Sequence, residues 1–183
     1  SGKTTVGAGM IVDLAQQGKR VGVTANSHQV IGNLLRKAAE VARERGVELR
    51  IGQNPGGSDG PTYAGARSLK NEETVDALRS HAVDVVGGTS WLWSRPEMAD
   101  SVDVLFVDEA GQMSLANAVA VAPAGRSLVL LGDPQQLDQP LKGSHPPGVE
   151  RSALAHVLGT DATMPGDLGV FLETTWRLHP DIC

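Results

Sequence analysis

Cysteine is almost missing from this sequence: the one copy, Cys183, is the last of 183 residues, so no disulfide can close within the chain. That usage suits a reducing compartment. Aromatic residues are nearly as scarce at 3%, which leaves the core to Val, Leu, Ile and Ala. Half of the aromatics are tryptophans (Trp91, Trp93, Trp176), and each falls beside a segment that matters below. Positive charge is not in excess: the net charge is -5 and the pI is near 5.5. A nucleic-acid partner therefore cannot be inferred from bulk charge and would need a local groove. No apolar run approaches the ~18 residues that span a membrane, and the opening residues carry no signal-peptide pattern. What remains, 40% hydrophobic and 20% charged, is the composition of one ordinary globular domain, expected in the cytoplasm and away from membranes.

Helical and strand patterns alternate along the chain. Val6, Met10 and Leu14 recur at helical spacing within 4–17, and Gly18 can close that helix in a left-handed cap. Val21 to Thr24 reads as a short strand. An apolar stripe of Val30, Ile31, Leu34, Leu35, Ala38, Val41 and Ala42 then predicts a helix closed by Gly46. Val47, Leu49 and Ile51 alternate as a strand should, and 52–68 is a Gly/Pro/Ser loop without a period. Asn71 followed by Glu72 and Glu73 predicts a capped helix start. Strands are expected at about 83–87, 103–107, 127–131 and near 170–174, with a helix near 114–122. Short Val/Leu-rich strands separated by helices predict an α/β fold whose mainly parallel sheet is covered on both faces. Ligands of such sheets bind beyond the carboxyl ends of the strands. Asp108-Glu109 and Gly132-Asp133 fall at those ends.

Ser1-Gly2-Lys3-Thr4-Thr5, running into a helix, matches the back half of the phosphate loop G-x-x-x-x-G-K-[ST]. Its chemistry depends on backbone N–H groups at a helix N-terminus facing an anion. Lys3 would reach the β- and γ-phosphates and the Thr4 hydroxyl would ligate Mg²⁺. The loop's first glycine and the strand before it are expected ahead of residue 1. A bare Gly-Lys-Thr recurs by chance, but here Val104 to Val107 forms an apolar run that ends in Asp108 and Glu109. In phosphate-loop enzymes an acid in this place holds Mg²⁺, and a neighbouring Glu can polarise the attacking water. Two solvated acids at a strand end are common. Joined to a Gly-Lys-Thr helix start they are not, and together they predict an NTPase.

Asp108-Glu109-Ala110-Gly111-Gln112 resembles the D-E-A-x-Q box of superfamily 1 helicases, particularly the branch of the nonsense-mediated-decay RNA helicase. Leu131-Gly132-Asp133-Pro134-Gln135-Gln136-Leu137 resembles their G-D-x-x-Q-L motif. Trp176-Arg177-Leu178-His179-Pro180 resembles their Y-R-M-H-P motif, with Trp for Tyr. Val23 to His28 resembles the strand-contacting motif Ia, with His28 in place of a frequent Asn. Gly87 to Trp91 sits where the family has another strand-contacting threonine. The wording of these last two segments is closest to bacterial RecB-like nuclease–helicase fusions. The resemblance spans essentially all of 1–183 and implies a three-layer, RecA-like P-loop NTPase domain, the first of two. It places the start of the chain inside the phosphate loop and the second RecA-like domain outside it.

By the same resemblance, ATP is held by Gly2, Lys3, Thr4, Thr5 and Gln112, with Mg²⁺ on Thr4 and Asp108. Glu109 positions or deprotonates water, Gln136 senses the γ-phosphate, and Arg177 neutralises charge in the transition state. The implied activity is Mg-ATP hydrolysis coupled to movement on single-stranded nucleic acid, DNA ahead of RNA, 5′ to 3′. A nuclease domain in the same parent protein is implied too. Residues 1–183 alone are expected to turn over ATP negligibly. A non-motor P-loop NTPase and a nucleotide-binding module without strand unwinding are the competing readings. Gln112 could instead bond a loop backbone. Trp91 and Trp93 alternate, so both would face one side of an extended segment, either to stack on bases or to pack under the 52–68 loop.

Overall fold

The computed structural model of the chain describes residues 2–57, 60–133, 151–161 and 164–172. The first helix, α1 (Lys3–Gln16), buries Ala8, Ile11 and Val12, and Gly18 turns away from its end at φ 73. The run Val-Gly-Val-Thr is the fully buried strand β1 (Val21–Thr24). Ser27 caps α2 (His28–Glu44) by accepting from the Val30 N–H at 3.2 Å. The face that α2 buries is the predicted stripe, from Ile31 to Ala42. There follow β2 (Ile51–Gln53), β3 (Arg67–Ser68), α3 (Asn71–Arg79), β4 (Val85–Gly87) and the single turn α4 (Ser90–Trp93). Then come β5 (Val102–Asp108), α5 (Leu115–Val121), β6 (Gly125–Leu131) and α6 (Ala153–Leu158).

Among the described residues, six strands form one sheet in the order β3-β2-β4-β1-β5-β6, with parallel pairing throughout. Because strand side chains alternate, neighbours in sequence go to opposite faces. Val21, Val23, Val85 and Phe106 join the buried residues of α1 and α2 in one cluster. Val86 and Leu105 join Leu78 of α3, Trp93 of α4 and Val121 of α5 in another. Helices thus cover both faces, and the fold is the three-layer α/β arrangement expected of a RecA-like domain. Among the described residues no helix is long and apolar enough to cross a membrane.

Several local expectations need correction. Val47 and Leu49 lie outside any strand. The Val47 N–H turns back to the Ala42 carbonyl at 2.8 Å, and pairing begins only at Ile51, opposite Val85. The two residues alternate because they lean half-buried on the core, not because they sit in a ladder. Asn71 is the first helical residue and not the cap. Lys70 holds the cap position, its N–H donating to Glu73 Oε2 at 3.0 Å, while Asn71 Oδ1 accepts from Asn54. The 52–68 stretch ends in β3 and is pinned by buried Gln53, which bonds Thr62 Oγ1 and the Tyr63 N–H. Residues 170–172 are not in a strand, and the rest of the strand expected near 170–174 falls outside the described residues.

Candidate active site

The two edges of the sheet are built differently. At the amino edge, charges are spent on each other. Arg20, just before β1, donates its backbone N–H to Asp103 Oδ2 at 2.8 Å, and its guanidinium lies 3.4 Å from the same carboxylate. Arg50, just before β2, repeats this on Asp84, with the N–H at 2.9 Å and the guanidinium at 3.0 and 2.5 Å. Each pair locks one strand's start to the next. Burial pushes the Asp103 carboxyl up, but the Arg20 N–H and guanidinium outweigh it and hold the group below its ordinary value.

At the carboxyl edge, charged groups gather beside the start of α1 instead. Lys3 opens α1, whose N-cap is Gly2, a residue with no side chain to cap the first-turn N–H groups. The Lys3 ammonium lies 3.9 Å from Asp133 Oδ2, just past β6. Asp108 closes β5, beside Leu131 of β6 and within reach of the Lys3 charge. Burial pushes its carboxyl above the ordinary value; the Glu109 N–H at 2.9 Å and the Lys3 charge pull it down, and the Glu109 carboxylate pushes it further up. A half-buried acid held above its ordinary value beside a lysine and a helix N-terminus marks a candidate functional site.

Backbone strain marks the same place. Glu109 has φ 54, a left-handed conformation that costs a non-glycine residue roughly 1–2 kcal/mol. Two glycines let the loops after β5 and β6 close on each other there. A Cβ on Gly111 would meet the Asp133 carbonyl oxygen at 2.5 Å, and one on Gly132 would meet the Gly111 nitrogen at 2.8 Å. The Ala110 N–H donates to the Leu131 carbonyl at 2.8 Å, and the Gln112 N–H donates to the Glu109 carbonyl at 2.8 Å. Asn26, beyond β1, donates from Nδ2 to the Gln112 carbonyl at 3.1 Å. Gln112 is thus held through both its backbone N–H and its backbone carbonyl.

Gly2, Lys3, Thr4, Thr5, Asp108, Glu109 and Gln112 thus gather at one edge of the sheet. Gln136 and Arg177 lie outside the described residues, as does Ser1. Sequence reasoning missed the pairing of Lys3 with Asp133, although the acid was legible as a strand-end residue. It also misplaced the tryptophans. Trp93 is buried and donates from Nε1 to the carbonyls of Val23 and Gly88, at 3.2 and 3.0 Å. Trp91, two residues earlier on the same helical turn, is exposed.

No family model matches the chain, and no curated protein sequence is similar to it. Among solved structures, the chain is similar to the Mycobacterium smegmatis helicase Lhr bound to ssDNA and AMP-PNP, at 21% identity and a TM-score of 0.48. The likeness covers 68% of this chain and 16% of that one. At that level it decides nothing about chemistry.

Proposed function

We propose that this chain is the ATP-hydrolysing motor unit of a helicase or translocase acting on single-stranded nucleic acid, DNA ahead of RNA. One observation carries the hydrolase part: a helix start bearing Lys3 pairs with Asp133 beside half-buried Asp108 and Glu109, the latter at positive φ, at one sheet edge. The order of the D-E-A-x-Q, G-D-x-x-Q-L and W-R-L-H-P segments supports the motor part.

The donor set fits Mg²⁺. Among the described residues no group of three or more His, Cys, Asp or Glu could cage a metal. Mg²⁺ needs no such cage, since it binds through one or two protein oxygens and the substrate's own phosphates. Thr4 and Asp108 would hold it, and when bound it neutralises charge on the phosphate oxygens. Burial leaves the Asp108 carboxylate short of solvation, and a cation there would relieve that. Lys3 leaves Asp133 for the terminal phosphates, which the N–H groups of Gly2, Thr4 and Thr5 cradle at the helix start. Glu109 takes or orients the proton of the attacking water. Gln136 and Arg177 complete the reading, the one sensing the γ-phosphate and the other bracing its transition state.

ATP turnover by the full-length protein, with and without oligothymidylate, tests the reading. Single strands should raise turnover at least several-fold, and Lys3→Ala should abolish it. Turnover indifferent to single strands would leave a non-motor NTPase; no turnover and no nucleotide binding would remove the proposal altogether.

A further inference from the structure

One side chain of the loop between β1 and α2 reaches across to the loop after β5. The two strands lie side by side, with Thr24 opposite Val107, so the chain leaves them at neighbouring points of the carboxyl edge. Two residues past β1, Asn26 donates from Nδ2 to the Gln112 carbonyl at 3.1 Å. A carbonyl oxygen only accepts, so the amide nitrogen is the atom that faces it. Asn26 is mounted firmly on both sides: Ala25 is buried, and Ser27 is engaged as the N-cap of α2.

Residues 109–112 form a tight turn that needs such support. Glu109 sits at φ 54, and a left-handed residue other than glycine persists only where its surroundings hold it. The turn closes on itself through the Gln112 N–H and the Glu109 carbonyl at 2.8 Å, and the Ala110 N–H ties its middle to Leu131 of β6. Asn26 fastens the far end of the turn from the β1 side. Among the described residues it is the side chain outside 108–112 that hydrogen-bonds the backbone of this turn.

We propose that Asn26 is a positioning residue for hydrolysis: by holding the Gln112 carbonyl it keeps the 109–112 turn closed and Glu109 aimed at the attacking water. This assignment rests on the role of Glu109 proposed above. Asn26 acts within the protein, because its amide nitrogen is directed at backbone, and Mg-ATP is held elsewhere, by Lys3, Thr4 and Asp108. Moving a reacting group by about 1 Å costs on the order of 10²-fold in rate, so one lost brace is enough to register.

The test is Mg-ATP affinity and single-turnover hydrolysis by the full-length protein in the absence of nucleic acid. It compares the parent, Asn26→Ala, Asn26→Asp, Glu109→Gln, and Asn26→Asp combined with Glu109→Gln. Asp keeps the shape of Asn but, ionised, only accepts, which guards against a packing defect in the Ala variant. Both single Asn26 variants should bind Mg-ATP within about twofold of the parent and hydrolyse it roughly 10- to 100-fold more slowly. With Glu109→Gln already present, Asn26→Asp should slow hydrolysis less than about twofold further, because nothing remains for it to position. Leaving out nucleic acid means that a lost strand contact cannot mimic the effect. Parent-rate hydrolysis in both Asn26 variants, or a loss of Mg-ATP affinity as large as the loss of rate, would overturn the proposal. So would an undiminished effect of Asn26→Asp beside Glu109→Gln, the mark of a merely structural role. Glu109→Gln keeps the two readings apart: normal hydrolysis there removes the base itself, whereas a slow Glu109→Gln beside a normal Asn26→Asp removes only the positioning.

Discussion

Two aspartates on one strand behave in opposite ways. Asp103, near the start of β5, is held below its ordinary pKa by Arg20, while Asp108, at the end of β5, is held above it by burial. A lowered pKa contributes stability above the unfolded value, near ~3.9, that is lost as pH falls through the folded value. A raised one does the reverse: the folded state is penalised as pH rises through the folded value. Asp103→Asn should therefore lower the Tm at pH 7 by a change of about 1 kcal/mol or less, since the pair is partly solvated, and the gap should close in acid. Asp108→Asn should raise the Tm at pH 7, by a few degrees if the gain is ~1 kcal/mol, with the gain vanishing below the ordinary aspartate range. Melting curves across pH 3–8 check both. If Asp108→Asn melts lower at pH 7, the carboxylate is structural and its assignment to the site fails. Lys3, Thr4, Asp108 and Glu109 stand out in the sequence because each motif is contiguous. The contact of Lys3 with Asp133 was not, because it exists only once α1 and β6 are brought together by the sheet.

Burial made several elements legible, although fully buried β2 begins only where its expected strand ends. β1, β5 and the apolar stripe of α2 sit deep in the layers, so their hydrophobic patterns reported them directly. The segment around Trp91 failed for a physical reason. Alternation suggests extended chain, but the strand stops at Gly87, Thr89 serves as N-cap, and four residues of helix are too few to show a period. Val47 and Leu49 misled in the same way, through contact with the core rather than through pairing. The amino-edge locks were invisible beforehand, since an Arg before a strand and an Asp on its neighbour look like ordinary surface charges. They tie the starts of neighbouring strands together at the edge of the sheet opposite the candidate site. Truncating Asp84, which is 8% exposed and accepts three bonds from Arg50, should cost about 1–3 kcal/mol by chemical denaturation without changing nucleotide affinity. An equal loss of nucleotide affinity in the folded protein would mean that the two edges are not separable.

At the scale of the whole molecule, this division is what makes a nucleotide reading coherent. The parallel sheet aims every strand's carboxyl end at one side, and there the chain places its lysine, its acid pair and the exposed Trp91. Net charge of -5 gives no warning of this, since a site of this kind is a local arrangement and not a bulk property. The central claim is that the lysine binds nucleotide while Glu109 serves the chemistry. It is tested most directly by measuring Mg-ATP affinity and single-turnover hydrolysis together in Lys3→Ala and Glu109→Gln full-length protein. Lys3→Ala should weaken binding at least ~10-fold, the loss of a charge-assisted contact worth ~1.5–3 kcal/mol. Glu109→Gln should bind Mg-ATP within about twofold of the parent and hydrolyse it ~10²–10⁴-fold more slowly, as expected for loss of a general base. Near-normal hydrolysis in Glu109→Gln, or a loss of affinity there as large as in Lys3→Ala, would contradict the account.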